Sequence, residues 1–348
     1  MSGKISGLIA RIRNIIPSVT WHHCCSIYRE AIVSKKIPTK LKEVLDEAVK
    51  IVNFIKAKSL NSRLFEQLCK DMDSEHYQLL LHSEIRWLSR GKVLSRLFEL
   101  YMRLNYFSSN INHHLRLNDF SWLASLAYLS DIFSHLNVLN LSLQGSHVTI
   151  FKVEDKIEAM IKKLELWNLR LSKKNYDSFQ NLNNFLELTE EELSGEVFKY
   201  IKQHIEDLQR SFRDYFPVPD TNRNWIRHPF EIDITQINGL TSLEEDDLID
   251  ISTNGSLKLQ FNQKSLENFW LHEQKDYPVL SSKALKVLIP FPTTYLCEKA
   301  FSTLVYVKNN FRNRLENVES ELRLKLSNIE PNIPVEKLMS EMQYHPSH

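Results

Sequence analysis

Apolar positions along this chain recur every three to four residues, the period of an amphipathic helix rather than a strand. Residues 4–16 carry Ile5, Leu8, Ile9, Ile12 and Ile16 at that spacing until Pro17 stops the run. Val19-Thr20-Trp21 is β-prone but too short to stand alone as a strand. Residues 26–34 read as a short helix. Pro38-Thr39 then opens a longer one, in which Leu41, Val44, Leu45, Ala48, Val52 and Ile55 form one stripe. The same period predicts helices over 60–72 and 90–104. Residues 119–141 are apolar on more than one face, the mark of a helix surrounded by others. Residues 152–172 keep Val153, Ile157, Met160, Leu164, Trp167 and Leu171 on one side. A further helix is expected over 190–212. Its predicted cap is Thr189 backed by three glutamates, and its inner stripe is Leu193, Val197, Ile201, Ile205, Leu208 and Phe212.

The texture changes over 214–264. Pro217, Pro219, Pro229, the run Glu244-Glu245-Asp246-Asp247 and two Asn-Gly turns suggest irregular surface or a linker with short helices. Order returns at Ser265, with helices expected over 265–274, 281–289, 293–306 and 315–329. The last carries Leu315, Val318, Leu322, Leu326 and Ile329. Seven glycines in 348 residues leave few tight turns, which favours long helices over hairpins.

Net charge is +1, so the whole chain is no polycation. Its first hundred residues hold 17 Lys/Arg against 10 Asp/Glu, whereas residues 214–276 hold 5 against 12. A basic first third either faces phosphate or is a solvated helix face. The cysteines Cys24, Cys25, Cys69 and Cys297 follow no disulfide framework and fit a reducing compartment. The N-terminus has no secretory apolar region, and no apolar stretch is long enough to span a bilayer. A nuclear or cytosolic protein is expected.

His22-His23-Cys24-Cys25 suggests metal chemistry, but four contiguous ligands cannot converge on one ion. His22 with Cys25, or Cys69 with His76, supplies at most half a zinc site, and a cysteine acting as a small buried hydrophobe is the commoner case. The first 40 residues hold one carboxylate, Glu30, too few for two-metal phosphoryl chemistry. No glycine-rich phosphate loop or nucleophile elbow is present. Lys308-Asn-Asn-Phe-Arg-Asn-Arg314 is a basic segment that either grips phosphates, with Phe311 stacking on a base, or joins two helices by a solvated edge.

Three stretches together resemble hAT-superfamily transposases. They are Cys25-Ser-Ile-Tyr-Arg-Glu-Ala-Ile-Val-Ser-Lys35, the run His82 to Leu100 containing Arg86-Trp87, and Ile-Pro-Phe-Pro-Thr-Thr-Tyr-Leu-Cys-Glu-Lys-Ala-Phe-Ser from Ile289 to Ser302, followed by Arg312-Asn-Arg-Leu315. The likeness is greatest to the branch of BED-type zinc finger and general-transcription-factor-II-I-repeat hAT-like proteins, and it covers nearly the whole chain. It implies a mainly α protein: a partial RNase H-like fold interrupted by a large helical insertion domain. Residues 1–85 would be the RNase H-like fragment, 86–275 the insertion, 276–330 the C-terminal dimerisation-type segment and 331–348 a tail.

The family cuts and joins DNA with two aspartates and a glutamate around divalent metal. Glu298 matches the glutamate. The aspartates belong to segments expected upstream of Met1, as does a BED-like finger, so the chain reads as N-terminally truncated. The family's Cys-x-x-His becomes Cys25-Ser-Ile-Tyr28. A single carboxylate does not hold paired Mg²⁺ ions. The resemblance therefore implies no enzyme activity, no cofactor and no small-molecule substrate. It implies a domesticated or decayed transposase-like protein, without catalysis, that self-associates or pairs with related hAT-derived chains and binds DNA weakly, in the nucleus and away from membranes. The competing expectation is an active DNA transposase or nuclease whose aspartates and finger are missing from this sequence. Arg86, Trp87, Lys308, Arg312 and Arg314 are the expected DNA contacts. Leu315, Val318, Leu322 and Leu326 are either a dimer surface or a face packed on the chain's own core.

Overall fold

The computed structural model describes residues 25–72, 76–80, 88–110, 118–145, 148–233, 238–290, 292–308 and 317–327, with Ile15 and Thr235 as isolated positions. Apart from Ile15, the predicted helix over 4–16 lies outside them, as do the β-prone Val19-Thr20-Trp21 and the residues His22, His23 and Cys24. Among the described residues there are helices and no strands, in agreement with a mainly α chain. They divide into two units, one ending at Thr293 and one beginning at Thr294.

The first unit is built around one helix. In chain order it has α1 (Ser26–Val33), α2 (Thr39–Ala57), α3 (Ser59–Asp71), α4 (Leu88–Glu99), α5 (Tyr101–Asn110), α6 (Phe120–Ser142), α7 (Ile150–Ser172), α8 (Gln180–Thr189) and α9 (Gly195–Tyr215). Helix α6 packs against α2, α4, α7, α8 and α9, so it is buried nearly all round, as its all-round apolar sequence predicts. The predicted stripes of α2 and α7 turn inward onto the same core: Leu41, Leu45, Ala48, Val52 and Ile55 from one, and Val153, Ile157, Met160, Leu164, Trp167 and Leu171 from the other.

A helix enclosed on all sides must satisfy its polar side chains inside the protein. Asp119 caps the start of α6 by accepting from the Trp122 N–H at 3.2 Å, and the Trp122 indole donates to Glu47 of α2 at 2.8 Å. Asp131, buried in mid-helix, caps a different helix. The N–H groups of Asn181 and Leu182 donate to its carboxylate, each at 3.1 Å, and the Asn181 side-chain amide donates at 2.8 Å. Helix α8 needs this remote acceptor because the residue at its own cap position is Phe179. Asn140 donates at 2.5 Å to the buried Glu30 of α1, whose carboxylate also accepts from Ser34 at 2.7 Å. Tyr128 pairs its hydroxyl with Nδ1 of the buried His204 of α9 at 2.9 Å.

Helices α4 and α6 approach at Gly91. A Cβ there would lie 3.0 Å from the Phe133 carbonyl oxygen. Ser95 hydrogen-bonds to Ser130 and Ser134 at the same crossing, at 2.9 and 3.3 Å. Small residues on both helices set this close contact.

Three sequence expectations need correction. The helix predicted over 90–104 is two, separated at the buried Leu100, and neither proline nor glycine marks the bend. The helix expected to start at Thr189 begins instead at Gly195, where Ser194 accepts from the Val197 N–H at 3.3 Å. Thr189 closes α8: its hydroxyl donates to the Phe185 carbonyl, and Glu190 takes the left-handed conformation that ends the helix. The glutamates there follow one helix instead of opening the next.

The third correction concerns residues 214–264, which are largely helical and carry their own core. After a 3₁₀ turn at Thr221–Arg223 come α10 (Asn224–Arg227), α11 (Ser242–Thr253), α12 (Gly255–Gln263), α13 (Leu266–His272) and α14 (Pro278–Leu288). Trp225, Ile226, Leu248, Ile251, Phe269, Trp270, Leu280 and Ala284 form a second cluster that also takes in Phe151 of α7. The Trp270 indole donates to the Ile226 carbonyl at 2.9 Å and meets Trp225 edge-on. The acidic run begins in the first turn of α11. Thr241 and Glu244 form a reciprocal capping box there, and Lys283 of α14 donates to Glu244 at 2.8 Å.

Replacing Gly91 by Val should lower unfolding free energy by about 2 kcal/mol, because the added carbons meet the backbone of an enclosed helix. Urea denaturation of the two proteins measures this, and equal stability would exclude a tight crossing.

A second expectation concerns pH. Burial pushes the Asp131 carboxyl up to about 6 and raises that of Glu30. Burial also pushes the His204 imidazole down to about 3. A carboxyl with a raised folded pKa contributes fully in acid, and that contribution is lost as pH rises through about 6. His204 acts oppositely: its contribution is full above its unfolded value near 6.5 and is lost as pH falls towards about 3. Replacing Asp131 by Asn should therefore shift relative stability towards the variant between pH 4 and 6, by up to about 1.4 kcal/mol per pH unit. Unfolding curves at three pH values across that window report it, and a pH-independent difference would refute the assignment.

Candidate functional site

The second unit is a helical pair: α15 (Tyr295–Val307) and α16 (Glu319–Leu326), which pack on each other. Helix α15 opens after Thr294, whose hydroxyl donates to Glu298 at 2.6 Å. Glu298 also suits the positive N-terminal end of the helix. Its carboxylate is exposed in the first turn. Among the described residues, no three His, Cys, Asp or Glu side chains are grouped to hold a metal ion.

Most of α15 is apolar: Tyr295, Leu296, Ala300, Phe301, Leu304, Val305, Tyr306 and Val307. Only Val307 is buried. Phe301 is 67% exposed, Val305 69% and Tyr306 69%. Phe301 and Val305 are one turn apart and share a face. On α16, Leu324 is 68% exposed, and the Lys325 ammonium lies 3.9 Å from the Tyr306 ring centroid. Large apolar side chains exposed on a short helical pair are of the kind found where proteins associate.

The sequence-predicted residues fall in several places. Arg86, Trp87, Arg312, Arg314 and Leu315 lie outside the described residues. Lys308 is the C-cap of α15. Val318, Leu322 and Leu326 are half-buried, whereas the outward apolar residues of this unit are Phe301, Val305, Tyr306 and Leu324. The sequence reading did not single out that face of α15. Its signal was present as an i, i+4 pair of large apolar residues on a helix with few polar positions.

Elsewhere, Cys69 is fully buried in the first core, and His76 gives Nδ1 to the Glu99 carboxylate at 2.9 and 3.0 Å. Cations of the basic first third alternate with carboxylates on α2 and α3, as in Lys40–Glu43 at 3.3 Å and Lys70–Glu66 at 2.8 Å. These are solvated faces whose pairs contribute little. No helix among the described residues is long and apolar enough to cross a membrane.

Residues 23–172 match the FAM200/GTF2IRD2 helical domain. Residues 242–324 match the hAT family C-terminal dimerisation region. The first match covers α1 to α7, and the second runs from α11 into α16. No solved structure matches the chain. The two matches take in both the enclosed-helix core and the exposed face of α15, and together they support a hAT-derived, transposase-like protein.

Proposed function

We propose that the chain is a non-catalytic hAT-derived protein that self-associates through its C-terminal helical pair, with weak DNA contact, in the nucleus. The observation that carries this reading is the outward apolar face of α15, lying inside the segment that matches the dimerisation region. Leaving Phe301 and Val305 in water forfeits roughly 2 kcal/mol of burial each, which a second copy would recover. Val318, Leu322 and Leu326 of the same segment are half-buried.

The same reading treats residues 1–85 as the trailing part of an RNase H-like fold, 86–275 as its helical insertion and 276–330 as the returning segment. Absence of catalysis is proposed because Glu298 is engaged by Thr294 and belongs to no acidic group among the described residues. DNA contact is proposed for Arg86, Trp87, Lys308, Arg312 and Arg314 from the family resemblance and from their basic or aromatic chemistry.

Sedimentation equilibrium of the full chain should give a dimer at micromolar concentration. The double variant Phe301→Asp with Val305→Asp should weaken association by about 100-fold or more. Leu188→Asp, at an 82% exposed position on α8, should leave it unchanged. A wild-type monomer at every concentration, or equal weakening by both variants, would exclude the surface.

Duplex DNA should be retained at low salt and released as salt rises, with a slope of log affinity on log salt set by a few phosphate contacts. Incubation with DNA ends and Mg²⁺ or Mn²⁺ should yield neither nicked nor joined strands. Cleavage that disappears in Glu298→Gln would replace this reading with an active transposase.

A further inference from the structure

A cavity of about 480 Å³ lies within the first unit, between α1, α7 and the segment that follows α9. One wall is the apolar stripe of α7, where Val153, Ile157 and Ile161 are buried, and Phe216 closes another side. Pro217, Val218 and Pro219 form an exposed rim. A space of this size suits a small organic molecule, and its lining mixes apolar carbon with charged side chains.

The charges on its wall are unequally matched. Glu154 is engaged by Arg223 at 3.0 Å, Glu158 by Lys162 at 3.6 Å, and Glu165 faces Arg213 at 3.9 Å. Arg29 is the remaining cation and is half-buried. One guanidinium nitrogen donates to the Tyr215 carbonyl at 2.9 Å, and the group lies 5.5 Å from the Phe216 ring centroid. No carboxylate among the described residues pairs with it. Burial without such a partner pulls its pKa below the usual arginine value. A guanidinium has five donors in a planar fork. Among the described residues a single hydrogen bond uses one of them, so the others have capacity for a ligand oxyanion.

We propose that this cavity binds a small amphipathic anion, its carboxylate or phosphate head on Arg29 and its apolar body against Val153, Ile157, Ile161 and Phe216. Arg29 is thus the lining cation with no carboxylate partner among the described residues, and a monoanion neutralises it. The ligand is bound and not consumed.

Titration calorimetry on the full chain tests it with three probes sharing one tail: octanoate, octyl phosphate and octanol. The two anions should bind, the better one revealing which head group the site prefers, and octanol should bind at least about tenfold more weakly. Arg29→Gln should reduce anion affinity at least about tenfold without changing that of octanol. Val218→Glu, at an exposed rim position, should reduce it several-fold by like charge, and it supplies a second test if Arg29→Gln lowers the melting temperature. Octanol binding as tightly as octanoate, anion binding that survives both variants, or no heat from any probe at millimolar concentration would each overturn the proposal.

Discussion

The arrangement of the first unit follows from enclosing α6. A helix with apolar residues on every face gains from being surrounded, but it takes its serines, aspartate and asparagine into the interior with it. Several of its polar groups then fix where a neighbouring helix sits. Asp131 fixes the start of α8, Asn140 holds α1 through Glu30, Tyr128 receives α9 through His204, and Ser130 meets Ser95 at the crossing with α4. Hydrophobic burial supplies the driving force, while the polar contacts choose one packing among many similar ones.

That division explains which parts of the fold were legible in the sequence. The apolar periods of α2, α6 and α7 are long and regular, and their buried faces follow from spacing alone. The start of α9 was misplaced because Thr189 and Ser194 are both good cap residues. Only the structure shows that Thr189 bonds backward to Phe185 and that Ser194 bonds forward to Val197. Residues 214–264 looked like a linker because prolines and acidic residues crowd there. Yet Thr241 and Glu244 stand three apart, the spacing of a capping box, and Trp225 and Trp270 needed an interior to occupy. The remote cap at Asp131 had no local signal, since donor and acceptor are fifty residues apart.

The proposed association surface was less legible for a different reason. Spacing shows that a helix has an apolar face, but not whether that face meets its own core or another molecule. The stripe through Val318, Leu322 and Leu326 and the pair Phe301 and Val305 have the same kind of pattern, and their exposures differ. Arg29 poses the same difficulty. Its sequence neighbourhood resembles that of any helical arginine, and it stands out only once the carboxylates around it have been assigned to other cations.

The cap that α6 lends to α8 makes one helix conditional on another. Residues 180–189 form a short helix whose first amides find their acceptor on a segment folded much earlier in the chain. So short a helix is marginal alone, and its start has no local side chain to nucleate it. The hydrogen bonds at the Asn181 and Leu182 amides therefore last only while α6 stays docked, and the ordering of α8 is tied to that of the central helix.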